Sequence, residues 1–387
     1  MFQFGKDSRK ASASLLVLLF ALGLVIGGLS SFYMGNRQIS SLNNQVADLK
    51  SQVTTLVASQ NQTITNQTVI IYQNGVSLVD IYANISQSVV LIHGTVNGSE
   101  VQGSGFVYHY STRMVVLTNF HVVQDATGLS VTFSNGNGYA ADVLGTDPYA
   151  DLAVLSVDAP ATELKPLSIV SSSSIRVGDQ VIAVGNPYGL VGSLTTGVVS
   201  ALGRSEQADF TSSFSIANMI QTSTPINPGN SGGPLLNALG EVVGITNSVL
   251  SDSQGLGFAV PSNTILRELP LLVTTGSYNM HSYLGIHVVD MNYDLAREQN
   301  INVTYGIWIP SETGQTIIEP NGPSDGKLRE GDVVIAMNGT RIRNNDDLAS
   351  YLEEKTLPKD LVVVTVMRDN STTNVEVTLG TRPPPNL

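Results

Sequence analysis

The chain holds 387 residues, room for two ordinary domains and appendages. Its net charge of −12 excludes a general nucleic-acid binder, which needs a basic face, and the absence of cysteine excludes disulfides, thiol catalysis and thiolate metal sites. Charged residues make up only 13% and glycine occurs 36 times, a balance that suits β-rich domains with many turns better than helical bundles.

Lys6, Arg9 and Lys10 precede 26 residues without a charge, Ala11 to Asn36, centred on Leu15–Ile26. At 1.5 Å per residue this run is long enough to cross a bilayer of about 30 Å. The basic flank predicts a cytoplasmic N-terminus, which puts everything after Arg37 outside the membrane. A cleaved signal peptide is the rival reading, but no Ala-x-Ala site closes the apolar run. Residues 1–37 are thus expected to form a cytoplasmic tip and transmembrane anchor.

Ile39, Leu42, Val46, Leu49, Val53 and Leu56 follow at heptad spacing, so residues 38–75 read as a short self-associating stalk and a polar spacer. Seven Asn-x-Ser/Thr sequons permit glycosylation and require nothing.

From Ser88 to Val260 short apolar runs alternate with turn residues: Val89–Ile92, Gly105–Tyr108, Met114–Leu117, Leu152–Leu155, Val181–Val184 and Val242–Ile245. Asn135-Gly-Asn-Gly138 predicts a hairpin between Val131–Phe133 and Ala140–Val143. Regular strands with such turns point to barrels or a sandwich. His121 ends the apolar strand Leu117–Val123, and Asp151 opens Asp-Leu-Ala-Val-Leu155, with Asp142 and Asp147 competing for the same carboxylate role. His93 and His109 read as buried structural histidines.

Ser231 lies in Thr224-Pro-Ile-Asn-Pro-Gly-Asn-Ser-Gly-Gly-Pro-Leu235. A serine hydroxyl needs a base to take its proton and donors to receive an oxyanion. Gly229, Asn230 and Ser231 can supply those donors from a backbone that glycine lets turn inward. The bland reading is a loop, since these residues dominate turns. A nucleophile elbow also fits Gly-x-Ser-x-Gly, but it requires a helix after the serine and a later histidine. Gly232-Gly-Pro234 is a poor helix start, and His281 and His287 lie beyond an apparent domain boundary.

The order His121, Asp151, Ser231 is the chymotrypsin order of a Ser-His-Asp triad. Together with Thr118-Asn-Phe-His-Val-Val123, Asp147-Pro-Tyr-Ala-Asp-Leu-Ala-Val-Leu155, Gly185-Asn-Pro-Tyr-Gly189, Thr196–Arg204, Ile226–Leu235 and Gly255–Pro261, the chain resembles the HtrA (DegP-like) family of serine proteases. The resemblance implies a mostly β fold, a chymotrypsin-like double β-barrel over residues 76–273 with the triad between the barrels. It assigns His121 as base, Asp151 as its orienting carboxylate, Ser231 as nucleophile, and Gly229, Asn230 and Ser231 as the oxyanion loop. Ile226, Val249 and Leu250 fall where the family lines its specificity pocket, which implies cleavage after small or medium aliphatic residues. The loop ahead of Asp151 and the segment 205–217, similar to the family's sensor loop, depart from its usual wording.

The wording changes after Pro261. Asn263–Val273 reads as a closing helix stopped near Pro270, and Thr274–Ser282 as a linker. Residues 280–381 resemble a PDZ domain, on Tyr283-Leu-Gly-Ile286 and Gly326-Lys-Leu-Arg-Glu-Gly-Asp-Val-Val-Ile-Ala-Met-Asn-Gly339, with a capped helix over Asn345–Glu354 and strands at 361–367 and 374–379. Resemblance implies that Tyr283, Leu284, Gly285 and Ile286 receive a peptide C-terminal carboxylate. Trp308 reads as core.

The expectation is a membrane-tethered serine endopeptidase that cleaves unfolded or misfolded proteins outside the cytoplasmic membrane, working without metal or cofactor. Family likeness implies a homo-oligomer of threes, whereas the stalk pattern leans toward two strands. The different-class alternative is a chaperone or peptide-binding scaffold with a resting protease domain.

Overall fold

The structure is a computed structural model that describes residues 22, 34, 37, 40–42, 44–52, 77–186, 192–207, 214–227, 229–247, 255–311 and 316–385. The chain forms two units, residues 1–75 and 76–387. In the first, residues 40–42 and 44–52 are helical, and Leu42, Val46 and Leu49 of the predicted heptad face are each 59% exposed. Ile39, Val53, Leu56 and nearly all of Ala11–Asn36, and with them the predicted anchor, lie outside the described residues. Among the described residues no helix is long and apolar enough to cross a membrane.

The second unit begins with α1 (Leu78–Ile85), whose N-terminus is capped by the Ser77 hydroxyl. Then come β1 (Val89–Val96), β2 (Ser99–Tyr110), β3 (Arg113–Thr118), a single helical turn α2 (Phe120–Val123), β4 (Thr127–Thr132), β5 (Gly138–Asp147) and β6 (Leu152–Val157). These six strands close into a barrel in the order β1-β2-β3-β6-β5-β4. A second closed barrel, β10-β11-β12-β9-β8-β7, is built from β7 (Gln180–Gly185), β8 (Ser193–Gln207), β9 (Ser215–Thr222), β10 (Pro234–Leu236), β11 (Val242–Asn247) and β12 (Gly257–Pro261). The predicted hairpin is present between β4 and β5, with the Asn135 side chain accepting from the Asn137 N–H and Gly136 at φ +86°.

The strands read as continuous apolar runs because both of their faces are buried. Successive side chains alternate sides. On β3 and β6, Val116, Ala153 and Leu155 point into the first barrel, while Val115, Leu117, Leu152 and Val154 point into a core shared with the second barrel. On β7, Val181 and Ala183 fill the second barrel, while Ile182 and Val184 enter the shared core. The barrels are therefore fused along an apolar seam, which Ile81 and Ile85 of α1 close from one side. His93 and His109 are not in it: His109 is exposed and His93 half-buried, near Glu100, because both fall on outward-facing positions of their strands.

After the second barrel, α3 (Ser262–Thr275) continues past Pro270 to a Gly276 cap at φ +81°. Proline removes one N–H, and the carbonyl it leaves belongs to Leu266, on the exposed side of the helix where water serves instead. The stretch read as a linker is packed: Ser277 bridges to Thr146 of β5, and Tyr278 and His281 are buried. Next come β13 (Ser282–Tyr283), β14 (Val289–Asp290), α4 (Tyr293–Glu298), β15 (Ile307–Trp308), β16 (Val333–Met337), β17 (Thr340–Arg341), α5 (Asn345–Lys355), β18 (Leu361–Arg368), β19 (Ser371–Thr378) and β20 (Gly380–Thr381). They form a sheet β14-β15-β16-β18-β19 and a small β13-β20 pair around their own core, which receives Leu348, Tyr351 and Leu352 of α5. Trp308 packs beside Val333 in a satellite of that core.

The second domain is bound to the barrels through α5. Asp346 accepts from the Ser205 N–H (2.9 Å) and from Arg204 (3.2 Å), Ser350 donates to the Gly203 carbonyl (3.1 Å), and Asn218 donates to Glu354 (2.9 Å).

Candidate active site

His121 occupies α2, the turn into which β3 runs. Phe120, Val122 and Val123 are buried, so the turn spends its apolar side chains on the core and leaves the imidazole, 22% exposed, at the seam. Its Nδ1 lies 2.7 Å from Asp151 Oδ2, and the His121 backbone N–H donates to Asp151 Oδ1 at 2.9 Å. Asp151 is fully buried, and Asn119 donates its side-chain amide to the Asp151 carbonyl (3.0 Å). The aspartate backbone is left-handed, φ +50°, a conformation that aspartate tolerates better than most residues. Of the three candidate carboxylates, Asp151 therefore meets the histidine. Asp142 is exposed, and Asp147 faces elsewhere.

The serine arrives from the other barrel, on the turn before β10. Gly229 and Gly232, on either side of Asn230 and Ser231, have φ of +96° and +84°. Ser231 is pinned by its backbone: its carbonyl accepts from the Ser104 N–H of β2 (2.8 Å). The Ser104 hydroxyl donates to the Gly229 carbonyl (2.5 Å), and Thr118, three residues before His121, donates to the Ser104 carbonyl (2.7 Å). A Cβ on Gly232 would fall 2.1 Å from that same carbonyl oxygen and 2.3 Å from Thr118 Oγ1, so only glycine permits the approach. From the second barrel, Thr246 holds the loop by donating to the Asn230 carbonyl (2.6 Å). Ser231 and His121 are thus drawn to one seam by Ser104 and Thr118, two residues the sequence reading missed. The Gly103-Ser-Gly105 run inside a strand was the available signal, since glycine there marks a close approach of another backbone. The hydrogen bonds among the described residues do not include one from Ser231 Oγ to the imidazole.

The oxyanion loop needs one correction. The Asn230 N–H is already donated to the Asn227 carbonyl (2.9 Å), which leaves Gly229 and Ser231 as the candidate donors. Ile226 is buried in the second barrel's core, and its side chain would meet a Cβ on Gly257 at 2.8 Å. Val249 and Leu250 lie outside the described residues.

A groove in the second domain, of about 570 Å³, is lined by Leu284, Ile286 and Val288 on one side and Leu348 and Leu352 of α5 on the other. Gly285 has φ +68°, and its N–H and that of Ile286 have no partner among the described residues. Tyr283 donates its hydroxyl to Glu319 (2.8 Å); burial and that carboxylate raise the phenol to about 12. The groove's outer wall comes from the barrels, through Tyr149, Phe214 and Ala217.

Behind this groove sits a buried charge cluster. His281 Nε2 is 2.7 Å from Asp147 Oδ2, and its Nδ1 is 3.0 Å from Glu353 Oε2. Arg267 of α3 bonds both Glu353 and Glu268. Burial by itself would lower the imidazole, but Asp147 and Glu353 raise it to about 10. Burial would raise Glu353, yet His281 and Arg267 hold it down at about 2. Glu268 is pushed well up, by burial first and then by Asp147. Asp147, Glu268 and His281 offer ligand atoms within 4.8 Å of one another. Both imidazole nitrogens are already hydrogen-bonded to carboxylates, however, so the set reads as an ion network.

The signs give a stability prediction. The raised His281 and Glu268 support the fold fully below their unfolded values of 6.5 and 4.5, and that support drains away as pH climbs toward the folded ones. The lowered Glu353 contributes above 4.5 and is lost as pH falls toward 2. Calorimetry should therefore show the melting temperature falling from pH 6.5 to 9.5, with a shallower slope in His281→Gln.

Among known families, the trypsin-like peptidase domain model matches residues 103–245 and the PDZ domain model residues 282–379. The periplasmic pH-dependent serine endoprotease DegQ of Escherichia coli K12 is 35% identical over 282 residues, 72% of this chain and 59% of that protein. The chloroplastic Protease Do-like 1 of Arabidopsis thaliana is 34% identical over 299 residues, 73% of this chain and 64% of that protein. The matches span between about half and two thirds of the length of these curated relatives. The solved HtrA-type protease AlgW with tripeptide superposes with a TM-score of 0.65 at 29% identity, covering 80% of this chain and 99% of that one.

Proposed function

Because this chain belongs to the HtrA (DegP-like) family of serine proteases, we propose that it is a serine endopeptidase of protein quality control. One observation carries this reading: the His121–Asp151 pair at 2.7 Å, with the Ser231 loop tied through Ser104 to Thr118, the last residue of the strand that runs into the His121 turn. In the proposed mechanism Ser231 attacks the peptide carbonyl while His121 Nε2 takes its proton. Asp151 holds the imidazole in the tautomer with Nδ1 protonated and stabilises the imidazolium. The Gly229 and Ser231 N–H groups receive the oxyanion, and His121 then returns its proton to the leaving amine.

Unfolded segments with aliphatic side chains are the proposed substrates, read, by resemblance, by Ile226, Val249 and Leu250. The groove of the second domain would take a peptide C-terminus, its carboxylate on the Gly285 and Ile286 N–H groups and its strand beside β14. The AlgW structure with a tripeptide supports a peptide ligand. A periplasmic relative, DegQ, supports an extracytoplasmic catalytic domain. The uncharged stretch 11–36 is proposed as its single-pass anchor, and residues 38–56 as a stalk for a homo-oligomer.

The second reading, a peptide-holding scaffold with a resting protease domain, is favoured by the Ser231 hydroxyl, which makes no hydrogen bond among the described residues. Fluorophosphonate treatment of the full chain, followed by peptide mapping, separates the two. An adduct on Ser231, with cleavage of an unfolded protein such as casein, is expected. An unlabelled Ser231 in a protein that binds casein without cutting it would leave the scaffold.

A further inference from the structure

We propose that His281, at the entry to the second domain, is a positioning residue for the triad carboxylate: it fixes Asp147 and, through it, the five-residue turn that presents Asp151 to His121. The inference rests on the endopeptidase reading.

The turn Asp147-Pro-Tyr-Ala-Asp151 joins β5 to β6 and ends in a left-handed aspartate. A non-glycine residue stays in that region only where the surroundings over-determine it. At its far end the turn is held by Asn119 on the Asp151 carbonyl, and by the two His121 bonds to the carboxylate. Inside it the Asp151 N–H reaches the Pro148 carbonyl only at 3.3 Å. The near end is held by the pairing of Asp147 with Leu152 across β5 and β6 and by the Asp147 side chain. Its Oδ1 accepts from the Tyr149 N–H at 2.9 Å, which shapes the turn, and its Oδ2 accepts from His281 Nε2 at 2.7 Å.

Asp147 is 1% exposed; besides His281 it meets Glu268, whose raised carboxyl group hydrogen-bonds it, and the charge of Arg382 acts on it as well. Without the imidazole Asp147 would lose the one ion pair it makes among the described residues, and would swing toward Arg382 or water, taking Oδ1 off the Tyr149 N–H. His281 is itself set by residues on every side. Glu353 of α5 holds Nδ1, while Tyr149 and Tyr278 meet the ring edge-on, with centroids 5.2 and 4.9 Å away. Arg382 donates its N–H to the His281 carbonyl and lays its guanidinium over the Tyr149 ring. Arg267 bonds Glu353 from behind. One imidazole thus joins the helix that walls the peptide groove to the turn that carries the triad acid.

Two conservative variants of the full chain divide its two bonds. In His281→Gln the amide sits where Nε2 was and can still donate to Asp147. In His281→Asn it sits where Nδ1 was and can reach only Glu353. Both should lower the melting temperature by a similar amount. The positioning role predicts that His281→Asn loses about tenfold in kcat with KM within about twofold, while His281→Gln stays within about threefold of the parent. Equal kcat values in the two variants, or the reverse order, would overturn it. Hydrogen exchange of the peptide spanning residues 147–155 reads the turn without any catalysis: faster exchange in His281→Asn than in His281→Gln is expected. Unchanged exchange in both sinks the proposal even if Ser231 takes the phosphonate label. Altered exchange in a chain that never labels would sink the endopeptidase reading, and with it the catalytic part of this proposal, leaving His281 its hold on the turn alone.

Discussion

Ser231→Ala will lower peptide-bond hydrolysis by about 10⁶-fold in kcat, about 8 kcal/mol of transition-state stabilisation at 1.36 kcal/mol per tenfold, and will leave the fold as it is. The two halves of that expectation come from different atoms of the residue. The structural contact of Ser231 is its backbone carbonyl, which accepts from the Ser104 N–H and is untouched by the change. The hydroxyl makes no hydrogen bond among the described residues, so alanine strands no buried partner there. Matched turnover and melting curves check this. Activity above about 1% of the parent's would remove Ser231 from the nucleophile's role.

Asp151→Asn should cost about 10⁴-fold in kcat, or about 5 kcal/mol, for a reason visible in the two bonds it accepts. The carboxylate takes the His121 backbone N–H on one oxygen and Nδ1–H on the other. An amide has a single accepting oxygen. If that oxygen keeps the backbone N–H, the NH₂ group faces Nδ1 and moves the ring proton to Nε2, where it blocks the uptake of the serine proton. If the amide flips, two donors meet at the His121 backbone N–H. The expected signature is a fall in kcat with a folded protein and with Nε2 protonated by ¹⁵N NMR. A loss below about tenfold would return the carboxylate role to open competition.

Much of this was legible beforehand because local chemistry agreed with the final environment. The apolar runs on β3, β6 and β7 became strands buried on both faces, and Asn135-Gly-Asn-Gly138 became the hairpin it spells. Leu348, Tyr351 and Leu352 of α5 pack on the second core as their spacing predicts. Local pattern alone did not separate Asp151 from Asp142 and Asp147; the family resemblance chose Asp151, and the fold puts Asp142 inside β5, Asp147 at its end and Asp151 at the imidazole. The His281 cluster was illegible for a related reason. Its partners are 134 and 72 residues away, and a histidine in an apparent linker carries no sign of burial. Pro270 misled because the rule against proline in a helix assumes that the freed carbonyl has nothing else to bind, and on an exposed face it has water.

The packing of α5 and His281 against the barrels bears on where the chain can be divided. A fragment ending near residue 273, where the wording of the sequence changes, would bring Asp147 and Glu268 to a new surface stripped of the imidazolium, beside bare rings of Tyr149 and Phe214. Such a piece would be a damaged molecule and not a smaller enzyme: sticky at the cut face, and loosened at the very carboxylate whose contribution a truncation study would set out to measure.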